Sequence, residues 1–226
     1  MKLALALASS MLAGSAGAQT VLTATLNNAS ENPPTVPTTA GGQPRAASFG
    51  TASFFIDSAA SFMTFTATIF NIDVTGTQTP NDVNDNLGNA HIHAGPAVTP
   101  TTNGPVVWGF FGAPFNDNSP NDAVVTPFAT GVGGTFSGKW DMGEGNNTTL
   151  TAQLANILAG RSYINFHTTQ FAGGEIRGNI VVAVPEPETY ALMLAGLAVV
   201  AGVARRRGRN GRAASARAAR DRETAA

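Results

Sequence analysis

Three histidines carry most of the chemical capacity of this 226-residue chain. His91 and His93 stand two apart in "AHIHAG", and His167 lies far downstream in "YINFHTTQFAGGEIRG". On an extended strand, side chains two apart leave the same face, so His91 and His93 project together while Ile92 turns away. His167 shares its parity with Tyr163 and Asn165. Two imidazoles from one strand and a third from another are the donor set of a three-histidine metal site with one open position. Zinc and copper are the candidate ions for such ligands. The competing reading makes the same three side chains hydrogen-bonded parts of the fold.

Other polar groups are weaker candidates. Glu175 and Arg177 are also same-face neighbours on a strand, and Gly173, Gly174 and Gly178 around them mark a tight corner. That favours an internal ion pair over an anion clamp. Glu31 precedes Pro33 and Pro34, rigid residues that aim its carboxylate at the sheet. The loop "NDVNDNLG" offers Asp82, Asn84, Asp85 and Asn86 as oxygen ligands. It has Leu87 where a calcium loop turns on glycine and His93 where that loop ends on glutamate, so it reads as a solvated turn. No serine nucleophile elbow or phosphate loop occurs, which leaves acyl and phosphoryl transfer without support. The absence of cysteine excludes thiol catalysis and cysteine-ligated zinc.

The elements that must position these groups are mostly strands. In "FMTFTATIF", Met63, Phe65, Ala67 and Ile69 fall on one face and Thr64, Thr66 and Thr68 on the other, the alternation of a half-buried antiparallel strand. The same pattern predicts strands over Thr20 to Leu26, Phe49 to Ile56, Pro105 to Phe111, Gly134 to Met142, Ser162 to Thr168 and Glu175 to Val184. One segment is helical: Leu150, Leu154, Ile157 and Leu158 share a face, Thr148 or Thr149 caps the start, and Gly160 suits a left-handed stop. Many short strands and one short helix without βαβ alternation predict a mainly β domain, an antiparallel β-sandwich or Greek-key barrel.

Both ends of the chain carry addresses. MKLALALASSMLAGSAGA has an early lysine, an apolar run and small residues ending in Ala16-Gly17-Ala18, the layout of a secretory signal peptide cleaved before Gln19. At the other end, Pro185 and Pro187 close the domain, and Tyr190 to Ala204 runs fifteen residues without a charge. A membrane-spanning helix needs about 20, so this apolar helix is short. Arg205, Arg206 and Arg207 follow at once and favour a cytoplasmic C-terminus. Between these ends stand four basic residues against ten acidic ones, a net charge of −6 hidden behind a whole-chain value of −1. An acidic body argues against nucleic acid as a partner.

Pro185-Glu186-Pro187, the short apolar helix and the arginine cluster together resemble the PEP-CTERM sorting signal of Gram-negative bacteria. That resemblance implies transient insertion in the inner membrane, recognition by an exosortase, and release to the cell surface or extracellular space. The arginine-rich extension through Arg222 is longer than the signal requires. The body resembles the CHRD domain at "ENPP", "AHIHAGPAVTPTTNGPVV" and "AGRSYINFHTTQFAGGEIRGNI", over roughly Val21 to Val184 and in that family's order. The resemblance implies an immunoglobulin-like or barrel-like β fold in secreted proteins, usually without known catalysis. Two stretches, "TQTPNDVNDNLGN" and "FNDNSPNDA", depart from it as insertions that lengthen loops.

The expected organisation is therefore a signal peptide at 1–18, a β domain at 19–184, a sorting signal at 185–209 with its short transmembrane helix at 190–204, and a basic disordered tail at 210–226. The expected function is that of an exported, surface-sorted, non-enzymatic binding or scaffold domain of the bacterial envelope or extracellular matrix. The alternative is a small metal-dependent enzyme or a metal-binding protein using His91, His93 and His167. The expected partners are the secretion machinery, an exosortase, and extracellular polysaccharide or envelope proteins.

Overall fold

A computed structural model describes residues 19–57, 59–183, 192–203 and 205. The chain divides into two units, Met1–Ala183 and Val184–Ala226. The expected signal peptide with Ala16 and Ala18, the tripeptide Pro185-Glu186-Pro187, Arg206, Arg207 and the tail at 210–226 lie outside the described residues. In the second unit, residues 192–203 and 205 are helical. Among the described residues no helix is long and apolar enough to cross a membrane.

Ten strands and one α-helix build the first unit among its described residues: β1 (Thr20–Asn27), β2 (Phe49–Ile56), β3 (Phe62–Phe70), β4 (Leu87–Ala94), β5 (Val106–Phe111), β6 (Val124–Pro127), β7 (Gly133–Asp141), α1 (Leu150–Leu158), β8 (Ser162–Thr168), β9 (Ile176–Asn179) and β10 (Val181–Val182). All ladders between them are antiparallel and form one sheet, in the order β5-β4-β8-β9-β1-β2-β3-β7-β6, with β10 on β1. The mainly β, antiparallel expectation holds. Its two layers come from one sheet that curls until its halves face each other.

The aromatic core makes the curl visible. Trp108 of β5 stacks on Trp140 of β7 with ring centroids 5.6 Å apart, although these strands lie near opposite ends of the sheet order. Phe65 of β3 meets Trp108 edge-on at 5.6 Å, and Phe136 of β7 meets Phe166 of β8 at 5.1 Å. Each such side chain, fully buried, stabilises the fold by about 1.5–3 kcal/mol. Both indole N–H groups find an acceptor on one residue: Trp108 Nε1 donates to Glu144 Oε2 at 3.3 Å and Trp140 Nε1 to the Glu144 carbonyl at 2.8 Å.

Local chemistry explains most boundaries. In β3 the apolar residues Met63, Phe65, Ala67 and Ile69 are buried while the threonines face outward, as alternation requires. Thr149 caps α1, its Oγ1 accepting from Ala152 N at 3.3 Å, and Gly160 adopts φ +70° after the helix. Leu150 and Ile157 are buried, but Leu158, expected on the same face, is exposed at the helix end. The strand expected over Glu175 to Val184 is divided at Ile180 into β9, which pairs with β8, and β10, which pairs with β1; the Ile180 N–H still donates to the Ser162 carbonyl at 2.9 Å. The edge strand β6 was not expected at all, being four residues long with no buried face.

Candidate metal centre

β8 is the central positioning element, and all seven of its residues are buried. Ile164 and Phe166 join the aromatic core, so Tyr163, Asn165 and His167 must leave the opposite face. The neighbouring strand does the same, with Ala90, Ile92 and Ala94 in the core and His91 and His93 on the other side. Register then sets the meeting: His91 lies opposite Asn165, His93 opposite Tyr163, and Asn89 opposite His167, which leaves His167 diagonal to His91. On the other flank of β8, Arg177 lies opposite Asn165. The outcome is a second, polar interior on the outer face of β4, β8 and β9, covered by loops.

The three histidines converge there. Their ligand atoms all lie within 4.8 Å of one another, and each residue is buried. His91 Nδ1 and His167 Nε2 are 3.2 Å apart. The remaining nitrogens face backbone carbonyls: His91 Nε2 to Ala113 O at 3.0 Å, His93 Nδ1 to Gly104 O at 2.8 Å, and His167 Nδ1 to Ala172 O at 2.9 Å. A carbonyl only accepts, so each of these nitrogens carries the ring hydrogen. The inward nitrogens of the neutral rings are then bare lone pairs. His93 Nε2 is buried without a hydrogen-bond partner among the described residues, and Asn165 Oδ1 stands 3.0 Å from His167 Nε2.

Electrostatics keeps the rings neutral. Burial, followed by the neighbouring imidazoles His167 and His93, pushes His91 down to about 4. Burial does the same to His93, to about 4, against the opposing hydrogen bond to Gly104. His167 is also lowered by burial. Near neutral pH several lone pairs therefore point into one small volume with no proton between them, an arrangement that a cation relieves. Tetrahedral zinc with nitrogen ligands spaces them about 3.3 Å apart. The His91–His167 pair already has that spacing.

Around the histidines, Tyr163 stacks on His93 with centroids 4.5 Å apart, and the Arg177 guanidinium lies 3.6 Å from the Tyr163 ring centre. Arg177 donates to Asn103 Oδ1 at 2.8 Å and to the Thr99 carbonyl at 2.5 Å, holding the loop whose Gly104 carbonyl fixes His93. Glu31 is buried here, as its prolines suggested. Its Oε1 accepts from Asn32 N at 3.0 Å. Its Oε2 makes no hydrogen bond of good geometry among the described residues. That atom lies beside Asn165 Nδ2, and a Cβ added at Gly174 would stand 2.5 Å from the one and 2.8 Å from the other. Burial pushes the Glu31 carboxyl up, opposed by the Asn32 N–H, the Arg177 charge and the Asn165 amide. A cleft of about 490 Å³ opens on Glu31, Pro33, Asn103, Phe171, Ala172 and Gly174.

Two expectations need correction. Glu175 and Arg177 do not form an ion pair with each other. Glu175 pairs with Arg45 at 2.8 Å and accepts from the hydroxyls of Ser48 and Thr168, while Arg177 is occupied on the far side of β9 as described. Residue 175 precedes the regular strand, so strand parity does not place it on the face of residue 177. The "NDVNDNLG" segment is not simply a solvated turn either. Asp85 is buried and accepts from Thr79 Oγ1, and Asp82 Oδ1 accepts from Ala40 N, so these oxygens are used within the fold. The part of the site that sequence reasoning missed is Asn165 with the carbonyls of Gly104, Ala113 and Ala172. Asn165 had a signal, its parity with His167; the carbonyls have none.

Comparison with protein families matches residues 22–180 to the CHRD domain and residues 183–208 to the PEP-CTERM protein-sorting motif. No curated protein and no solved structure matches the chain.

Proposed function

The chain belongs to the CHRD domain family, and we propose that it is a non-enzymatic domain that carries a transition-metal ion, zinc or copper, at His91, His93 and His167. The observation that supports this reading is the hydrogen-bond assignment: each imidazole donates one N–H to a backbone carbonyl and turns its bare nitrogen toward the other two. Such outer partners fix the tautomer and orientation of metal-ligating histidines. Drawing the three nitrogens onto a shared ion closes separations of up to 4.8 Å to about 3.3 Å, a change of about 1.5 Å at most and within the reach of side-chain adjustment.

The sorting motif marks the protein for export and for surface sorting by an exosortase. On this reading the signal peptide at 1–18 is removed between Ala18 and Gln19, and 190–204 is a short helix held in the inner membrane while Arg205, Arg206 and Arg207 stay on the cytoplasmic side. The processing site is Pro185-Glu186-Pro187, and 210–226 is a basic tail. The mature domain then acts at the cell surface or in the extracellular matrix, with polysaccharide or envelope proteins as partners. Its curled sheet serves as a variant of the immunoglobulin-like sandwich, two facing halves joined through β9 and β1.

Metal analysis of the full chain, purified through a tag without histidine, tests the site. One ion per chain that is removed by chelator and missing from His91→Ala and His167→Ala is the expected result. A metal-free protein at neutral pH in the presence of zinc and copper sinks the reading. Fractionation of cells with and without the exosortase tests the sorting, which is wrong if the protein's destination is the same in both.

A further inference from the structure

We propose that the side-chain oxygen of Asn165 is a fourth ligand of this centre and that Glu31 determines which end of the Asn165 amide faces the ion. The inference rests on the reading of the three histidines as metal ligands. It adds a residue from outside the usual acidic, thiol and imidazole donors and gives the centre a closed shell of three nitrogens and one oxygen.

The geometry is specific. Asn165 Oδ1 is 3.0 Å from His167 Nε2, close to the spacing that two ligands of one tetrahedral ion require. Register places Asn165 directly opposite His91 and two residues before His167 on the same strand, so its side chain leaves the sheet on the face that carries the histidines. The other end of the amide, Nδ2, lies beside the buried Oε2 of Glu31. Turning the amide over would set its oxygen against that carboxylate and aim an N–H at the imidazoles. Glu31 is thus a positioning residue, and Gly174, with φ +126°, keeps the space around both groups free of a side chain.

The consequence concerns reactivity. A catalytic zinc site keeps one position for water or substrate, whereas structural sites fill all four with protein atoms. Here the fourth direction already belongs to Asn165. The ion then fastens the loops that supply the carbonyls of Gly104, Ala113 and Ala172 to the sheet.

Cobalt loading of the full chain, read by visible absorption, reports coordination number, and zinc competition reports affinity. Asn165→Leu is expected to weaken zinc binding by at least tenfold and, with water taking the fourth position, to give a cobalt spectrum that changes with pH around neutrality as that water ionises, a change absent from the wild type. Asn165→Asp, made together with Glu31→Gln so that its second oxygen does not face a carboxylate, is expected to stay four-coordinate and bind zinc more tightly than Glu31→Gln alone. Glu31→Leu is expected to weaken binding about tenfold, and Glu31→Gln, which keeps an oxygen on the Nδ2 side of the amide, to restore it. Wild-type affinity and spectrum in Asn165→Leu overturn the proposal and leave the three-histidine reading intact. Should that variant not fold, an affinity in the Asn165→Asp, Glu31→Gln double variant unchanged from that of Glu31→Gln alone overturns it equally. A wild-type protein that takes up neither zinc nor cobalt instead removes the three-histidine reading itself.

Discussion

His93 and Tyr163 lie face to face across β4 and β8, directly opposite in register, with ring centroids 4.5 Å apart and planes 8° from parallel. Through that ring the histidine cluster is joined to Arg177, whose guanidinium sits 3.6 Å from the same Tyr163 centroid. The Tyr163 hydroxyl contributes only long contacts to Gly104, at 3.4 and 3.5 Å. Tyr163→Phe should therefore cost less than about 1 kcal/mol and leave the metal content equal to that of the wild type. Tyr163→Leu removes the aromatic face under both partners and should cost about 2–4 kcal/mol. Denaturant midpoints of the two variants, with metal content measured alongside, check the contrast.

Glu175 couples to Arg45 and not to Arg177. A double-mutant cycle on Arg45 and Glu175 should return a coupling of about 1–3 kcal/mol, because the side chains are buried and share Ser48, with Thr168 donating to Glu175 as well. The cycle on Glu175 and Arg177 should return less than about 0.5 kcal/mol. A larger coupling in the second cycle than in the first contradicts the assignment.

Gly109 is where β5 gives way to the site. A Cβ there would run into the Pro114 carbonyl and stand 3.0 Å from His91 Cδ2. Gly109→Ala should destabilise the protein by about 1–3 kcal/mol through overpacking and displace the His91 ring. The readouts are a thermal unfolding midpoint and the zinc affinity, both of which should fall together.

Asp117 supplies a pH dependence away from the histidines. Burial, with Asp122 and Glu144 as further causes, raises its carboxyl to about 6, against an ordinary value of 3.8, although Asp122 N and Ala123 N donate to it. Between these values the unfolded chain is ionised while the folded one holds its proton, so stability falls as pH rises from about 4 to about 6. Above that the full cost, on the order of 1–3 kcal/mol, is present. Asp117→Asn should match the wild type near pH 4 and exceed it in stability at pH 7.5. Urea unfolding at the two pH values measures the difference.

Sequence alone determined what depends on near neighbours. Period-2 alternation in "FMTFTATIF" is a local consequence of the pleat, and it delimits β3 to the residue. The Thr149 cap and the Gly160 stop are equally local. The order of proline, apolar run and arginines in the tail is a linear signal meant to be read linearly, and the family comparison finds it at 183–208. Even the polar face of β8 was legible, because Tyr163, Asn165 and His167 alternate with Ile164 and Phe166.

Tertiary structure decided everything that joins distant segments. Whether His167 meets His91 depends on the register of β4 against β8, and a slip of one residue would turn one set into the aromatic core. The carbonyls of Gly104, Ala113 and Ala172 fix the tautomers, yet every residue has a carbonyl and none announces where its loop will bring it. Arg45 reaches Glu175 across 130 positions, a partner that same-strand parity could not suggest. One curled sheet in place of two stacked ones follows from how far each strand twists and from Trp108 finding Trp140, a sum over the whole sheet. Alternation states which face a side chain leaves; only the closed fold states what waits there.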